Sequence, residues 1–165
     1  MQKKSSHFFW KSSPVLLAAS YALFSFGSAQ AQFGNPLQAC LLYANQGDYQ
    51  NAIRECKRAV QENPYSASAY TNLGVVYIQV GKNNKALDAL RRGARLAPRD
   101  PMTQYNLAVV YSLMNQNDRS LEALNRALRN GFNNADALRF DRDLDNVRGE
   151  PEFRTILERY KFFIQ

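Results

Sequence analysis

The sequence predicts an all-α fold made of three consecutive helical hairpins. The first observation is an internal repeat, because a shift of 34 residues aligns Tyr43 with Tyr77 and Tyr111. The second is the apolar spacing within a repeat, where Tyr70, Leu73 and Tyr77 follow one another at i, i+3 and i+7 on one helical face. A fixed period of this length is typical of arrays in which identical supersecondary units stack on one another.

Each repeat is predicted to contain two helices. In the middle repeat a second apolar stripe follows the first, at Ala86, Leu87, Leu90 and Ala94. Gly81 lies between the two stripes and allows the chain to turn, and Pro98 prevents the second helix from continuing. Stacking of such hairpins would bury a continuous core.

The middle repeat resembles the tetratricopeptide repeat family. The residues that carry the resemblance are Tyr70, Leu73, Gly74, Tyr77, Gly81, Ala86, Leu90 and Pro98, all at the family's spacing. The resemblance covers residues 32–134 as three units, 33–66, 67–100 and 101–134. It implies a right-handed superhelix whose first helices line a concave surface.

The outer repeats depart from this pattern. The first has Pro36 where the others carry Tyr70 and Gln104, so its leading helix is expected to start late, near Asn35. The third has Asn115, Ser120 and Phe132 in place of the family's glycine, alanine and proline.

Residues 135–165 are predicted to form a C-terminal helical cap, with fraying from Tyr160 onward. Terminal repeats need such a cap because their outer face would otherwise expose the core. The apolar side chains available to it are Phe140, Leu144, Val147, Phe153, Ile156, Leu157 and Tyr160. Asp141, Asp143 and Asp145 are interpreted as a solvated turn, with a calcium site as the alternative.

Residues 1–31 are predicted to be a cleaved Sec signal peptide. A basic start at Lys3, Lys4 and Lys11 precedes an apolar stretch over 15–26, and Ala29-Gln30-Ala31 offers a cleavage site after Ala31. The stretch is shorter than the roughly 18 residues of a membrane anchor, which is the competing interpretation. No stable membrane span is therefore expected after cleavage.

The export signal predicts a bacterial periplasmic location, with secretion or association with the outer membrane as alternatives. A lipoprotein is a further alternative, because Leu37-Gln38-Ala39-Cys40 resembles a lipidation box. Gln38 and the distance of Cys40 from the apolar stretch are evidence against it.

The charge distribution does not favour a nucleic-acid partner. Without Lys3, Lys4 and Lys11, the 21 basic residues fall to 18 against 14 acidic ones. The remaining arginines are spread among carboxylates instead of forming one basic run.

An enzyme is not expected. The only histidine, His7, lies in the predicted signal peptide, so the mature chain lacks imidazole for nucleophile activation, zinc binding or acid-base catalysis. Glycine-rich phosphate-binding loops are absent as well, and we expect no cofactor and no catalytic or metal site.

The two cysteines are predicted to form a disulfide. Cys40 and Cys56 lie on the two helices of the first hairpin, almost symmetrically about the turn at Gly47-Asp48. In an oxidising compartment the bond would close a loop of about 16 residues and stabilise the fold by about 3 kcal/mol. A pair of buried, reduced thiols is the alternative.

The first helices are predicted to line a groove for a peptide or a partner segment. Its expected lining is Gln38, Leu41, Asn45, Thr71, Asn72, Val75, Gln79, Tyr105, Asn106, Val109 and Leu113. Asn72 and Asn106 are the candidates for clamping a peptide backbone, because an amide both donates and accepts hydrogen bonds. A groove that captures a C-terminal carboxylate is not expected, since Val75 and Val109 occupy positions where such grooves need polar groups.

The second helices carry the arginines Arg58, Arg91, Arg92, Arg95, Arg126 and Arg129 on the predicted convex side. A solvated face is the default interpretation, with an acidic partner or an anionic membrane as the alternative. The leading function is an adaptor in an envelope assembly such as a secretion, pilus or polysaccharide machine. The second is a structural subunit that docks by this basic face or by its aromatic end, Phe153, Tyr160, Phe162 and Phe163.

Overall fold

Six helices of similar length form three consecutive hairpins in the computed structural model, which describes residues 34–162. They are α1 (Pro36–Asn45), α2 (Tyr49–Glu62), α3 (Ala67–Gln79), α4 (Asn83–Leu96), α5 (Pro101–Leu113) and α6 (Asn117–Arg129). Each odd-numbered helix packs mainly on the helix that follows it, and α2 on α3 and α4 on α5 join the hairpins into one stack. The predicted all-α array is confirmed.

Side-chain caps mark the start of the first helix in each hairpin. Asn35 accepts a hydrogen bond from the backbone of Leu37, and Ser66 and Asp100 cap α3 and α5 in the same way. Pro36 occupies the first turn of α1, where its missing N–H leaves no bond unmade. The predicted late start of the first helix, near Asn35, is confirmed.

The turns inside the three hairpins share one backbone conformation. Gly47, Gly81 and Asn115 have φ of 76°, 70° and 56°. Asparagine is among the few residues that adopt this left-handed region readily, so its presence in the third repeat preserves the turn.

Small residues let the paired helices approach one another. A Cβ atom added to Gly74 would lie 2.5 Å from Cγ of Leu90, so the crossing of α3 and α4 has room only for glycine. Ser120 replaces the alanine found at this place in the other hairpins, and its hydroxyl donates to the carbonyl oxygen of Ala108 at 2.7 Å. The buried serine is therefore satisfied and the third hairpin closes as the others do.

The closing segment is divided into short pieces: α7 (Ala135–Phe140), a 3₁₀ turn (Arg142–Leu144), α8 (Asp145–Arg148) and α9 (Pro151–Arg159). Asp141 has an extended ψ of 108°, and Pro151 starts a new helix after Gly149, so one continuous capping helix does not form. Its apolar side chains that are almost fully buried are Leu138, Leu144, Val147, Phe153, Ile156 and Leu157.

One expectation for the closing segment is wrong. Phe140 is 57% exposed, because the chain leaves the helical path at Asp141 and its ring stays outside the core. The segment predicted to fray lies partly outside the described residues; within them, α9 ends at Arg159, and Tyr160 and Phe162 follow it. The Tyr160 hydroxyl donates to Asn125 at 3.0 Å, and both rings pack against the core.

The predicted signal peptide and Phe163 lie outside the residues that the structure describes. Over residues 34–162, every helix is too short or too polar to cross a membrane.

Candidate functional site

A cavity of about 160 Å³ lies on the side of the stack formed by the first helices, and we call it the groove. The predicted residues that line it are Leu41, Thr71, Asn72, Val75, Gln79, Asn106 and Val109. Residues not predicted for it are Cys40, Ala44, Tyr49, Val76, Ile78, Met102, Asp141 and Asp143. The lining thus comes mainly from α1, α3 and α5, with Tyr49 added from the start of α2, and the turn after α7 supplies two carboxyl groups.

Four predicted residues do not line the groove. Gln38 and Asn45 are exposed on α1 outside it, and Leu113 packs against the core. The prediction for Tyr105 is wrong, since this side chain is fully buried. The 3₁₀ turn of the closing segment packs on α5 and covers the face that Tyr105 occupies.

Tyr105 is held by two contacts. Its hydroxyl donates to Oδ2 of Asp141 at 2.7 Å, and its ring stacks on Phe132 with centroids 4.2 Å apart and planes inclined by 7°. Phe132 stands where the family pattern has proline, so this departure supplies the partner of the buried ring.

Two amide side chains in the groove are free to meet a ligand. Asn72 is half-buried, Asn106 is 7% exposed, and neither amide bonds to another residue within 34–162. Thr71, by contrast, is engaged, because its hydroxyl lies 2.7 Å from that of Thr103. Thr71 therefore ties α3 to α5.

The acidic end of the groove is partly desolvated. Burial raises the pKa of Asp141, which the Tyr105 hydroxyl and the Asp143 N–H oppose by donating to its carboxylate. Burial raises the pKa of Asp143 to about 6, and the negative charges of Asp141 and Asp145 add to the effect. Burial, followed by the charge of Asp141, raises the pKa of Tyr105 well above its usual value.

The interpretation of Asp141 and Asp143 as a solvated turn is wrong. Asp141 is buried, and both carboxyl groups line the groove because the 3₁₀ turn docks on α5. The calcium alternative gains no support, since no three potential ligands from His, Cys, Asp and Glu gather anywhere in residues 34–162. The sequence shows the alternating aspartates, but it does not indicate that the carboxyl groups of Asp141 and Asp143 face the groove.

Cys40 and Cys56 face one another across the first hairpin. Both side chains are fully buried, their Cα atoms are 5.0 Å apart, and their sulfur atoms lie within bonding distance. This separation lies in the range that disulfides require, so the predicted bond is geometrically possible.

The recurring arginines contact their own hairpins. Arg92 lies over the ring of Tyr70, 5.9 Å from its centroid, and Arg126 donates to Gln104 at 3.1 Å. Arg58, opposite the proline-containing α1, pairs with glutamates of α2, to Glu55 at 2.9 Å and to Glu62 at 3.1 Å. The charges of these three arginines are thus used partly within the fold.

The aromatic end is less available than expected. Phe153 is 1% exposed, so its prediction as a docking residue is wrong. It is buried with Ile156 and Leu157 on the inner face of α9.

The fold and the groove define a superhelical repeat protein built from helical hairpins. Profiles described as tetratricopeptide repeat match residues 43–102 and 103–130. The chain belongs to the tetratricopeptide repeat family.

Solved structures of other proteins are similar. MamA is 25% identical with a TM-score of 0.62, and the match covers 76% of this chain and 72% of MamA. A variant of the O-GlcNAc transferase of Thermobaculum terrenum is 25% identical with a TM-score of 0.60, over 69% of this chain. This chain spans only 22% of that enzyme.

The first TPR of Spaghetti (RPAP3), bound to the HSP90 peptide SRMEEVD, shares the fold. It is 17% identical with a TM-score of 0.60, and the match covers 76% of this chain and 90% of that one. No curated protein matches the chain.

Proposed function

We propose that this protein is a non-enzymatic scaffold whose groove binds a peptide or an extended segment of a partner protein. The observation that carries the proposal is the pair of unengaged amides, Asn72 and Asn106, beside apolar side chains of the groove. An amide can donate to a peptide carbonyl and accept from a peptide N–H, so two of them can hold an extended backbone.

The apolar part of the groove suits the side chains of such a segment. Leu41 and Val75 are half-buried and still reach the cavity, so a ligand can cover surface that water now contacts. RPAP3, which has the same fold, is known bound to a peptide. That example supports a peptide as the class of ligand.

We place this function in the bacterial cell envelope, as an adaptor in an assembly such as a secretion, pilus or polysaccharide machine. The support is the N-terminal sequence: a basic start, a short apolar stretch and Ala29-Gln30-Ala31. Docking by the convex face has less support, because Arg92 and Arg126 contact residues of their own hairpins.

Replacing Asn72 with alanine is expected to weaken peptide binding about fivefold to tenfold, the loss of one or two hydrogen bonds. Peptides selected from a phage-displayed library on the purified protein would be synthesised, and their affinities measured by fluorescence anisotropy. Asn84→Ala is the matched control, since Asn84 is an exposed asparagine on α4. Equal affinities for the wild-type protein and Asn72→Ala would contradict binding in the groove.

The location is tested by the N-terminus of the protein made in a bacterial host. Mass spectrometry of the periplasmic fraction is expected to show a chain that begins at Gln32. Ala31→Lys should leave the precursor uncut, because the cleavage site requires a small residue there. Recovery of the whole chain from Met1 in the cytoplasm would contradict export.

A further inference from the structure

The groove has a charge of its own. Its lining includes the carboxyl groups of Asp141 and Asp143, and within the described residues it includes no lysine or arginine. The chain as a whole has 21 basic residues against 14 acidic ones, so the acidic character is local to this cavity. A ligand that complements the cavity is apolar with a positive charge at one end.

We propose that the groove selects partner segments in which a lysine or arginine adjoins an apolar side chain, with Asp143 as the acceptor of the basic group. This inference rests on the proposed function and specifies the chemistry of the partner.

Asp141 and Asp143 differ in what they can offer a ligand. Both oxygens of Asp141 are occupied, Oδ2 by the Tyr105 hydroxyl at 2.7 Å and Oδ1 by the Asp143 N–H at 3.0 Å. The carboxylate of Asp143 accepts no hydrogen bond from any residue within 34–162. Asp143 therefore has two oxygens free for an ammonium or guanidinium group.

The neighbouring cation does not neutralise Asp143. Arg148 pairs with Asp145 through one Nη atom and donates from the other to the carbonyl oxygen of Asp141 at 2.6 Å. Its guanidinium group is thus engaged by these two acceptors and makes no hydrogen bond or ion pair to the Asp143 carboxylate. The charges that act most on Asp143 are the negative ones of Asp141 and Asp145.

The size of the cavity fits one apolar side chain beside that cation. Its volume is about 160 Å³, and an engineered apolar cavity of about 150 Å³ in another protein accommodates benzene. Val75 and Val109 line the cavity and would contact the apolar group.

An ionised Asp143 is unfavourable in the free protein. Because burial raises its pKa to about 6, the contribution of Asp143 to the free energy of unfolding is most favourable below the pKa of an unfolded aspartate, about 4. It falls as the pH rises from about 4 to about 6, and is then constant with respect to this group. Asp143→Asn should therefore leave stability at pH 7.5 unchanged or raise it, while removing the negative charge.

The test compares selections from the phage library on wild-type protein, Asp143→Asn and Glu158→Gln. Glu158 is an exposed carboxylate on α9 and serves as the matched control. Wild-type and Glu158→Gln are expected to enrich peptides with lysine or arginine beside leucine, valine or phenylalanine. Asp143→Asn should lose the preference for the basic residue and keep the apolar one.

Affinities of one selected peptide provide the quantitative arm. Its Lys→Gln or Arg→Gln version should bind wild-type protein about tenfold more weakly than the parent peptide does, as expected for a charged hydrogen bond. The two peptides should bind the Asp143→Asn variant with equal affinity. Lowering the pH from 7.5 to 5.5 should weaken binding of the basic peptide to wild-type protein, because Asp143, whose pKa is about 6, takes up a proton over this range. The site is also surrounded by other ionisable groups, namely Asp141, Asp145, Arg148 and Tyr105. The pH dependence is therefore assigned to Asp143 only if Asp143→Asn abolishes it.

Three results would overturn the inference. These are enrichment of neutral or acidic peptides, tighter binding of SRMEEVD than of basic peptides, and an equal loss in Glu158→Gln. If the selected peptides lack a basic residue but their affinity still falls in Asn72→Ala, the groove binds peptides and only the charge assignment fails. If no selected peptide depends on Asn72, the proposed function fails as well, and the inference with it.

Discussion

Tyr105→Ala is expected to lower the free energy of unfolding by about 3–5 kcal/mol. The ring is fully buried, stacks on Phe132 and connects α5 to the closing segment through Asp141. Removing it leaves a cavity between the last hairpin and its cap, and it also leaves Oδ2 of the buried Asp141 carboxyl group without its donor. Denaturation by urea, followed by circular dichroism, measures the change.

Two further variants separate these contributions. Tyr105→Phe retains the ring and removes only the hydroxyl group, so a smaller loss of about 1–3 kcal/mol is expected. Tyr65→Ala is the matched control, because Tyr65 is 79% exposed and the same truncation there should change little. If Tyr105→Ala and Tyr65→Ala were equally stable, the cap would not be held as described.

Loss of the link between Cys40 and Cys56 is expected to lower the free energy of unfolding by about 3 kcal/mol, with 2–5 kcal/mol as the range for small domains. The bond would close a 16-residue loop around the first turn and limit the freedom of the unfolded chain. Denaturation of the protein isolated from an oxidising compartment, with and without reductant, measures the difference.

The double variant Cys40→Ala with Cys56→Ala completes this test. If the cysteines form a disulfide, reductant should destabilise the wild-type protein and have no effect on the variant. The unfolded wild-type protein should also contain no thiol that reacts with a maleimide reagent. Two reactive thiols, together with a stability insensitive to reductant, would instead establish the alternative of buried reduced cysteines.

The prediction of the repeats succeeded because their determinants are local. Apolar spacing specifies the buried face of each helix, and residues such as Gly47, Gly81 and Asn115 specify the turns. The proximity of Cys40 and Cys56 could be predicted from the sequence for the same reason, since a hairpin brings together positions that are equidistant from its turn.

The prediction of the groove succeeded only in part. Asn72 and Val75 lie in the middle repeat, which has a hairpin on either side as the family pattern assumes, and both line the cavity. The prediction for Tyr105 was wrong because this residue lies in the last repeat. Its neighbour is the closing segment, which covers a face that a further repeat would leave open.

The sequence by itself determined the class of fold, the helical hairpins and most of the groove lining on α3, because these depend on contacts between residues near in the chain. Only the tertiary structure decided that Asp143 lines the groove, that Tyr105 and Phe153 are buried and that Phe140 is not. Those outcomes depend on how a non-repeating segment docks on α5 and α6, where no periodicity indicates which face of a short helix is buried.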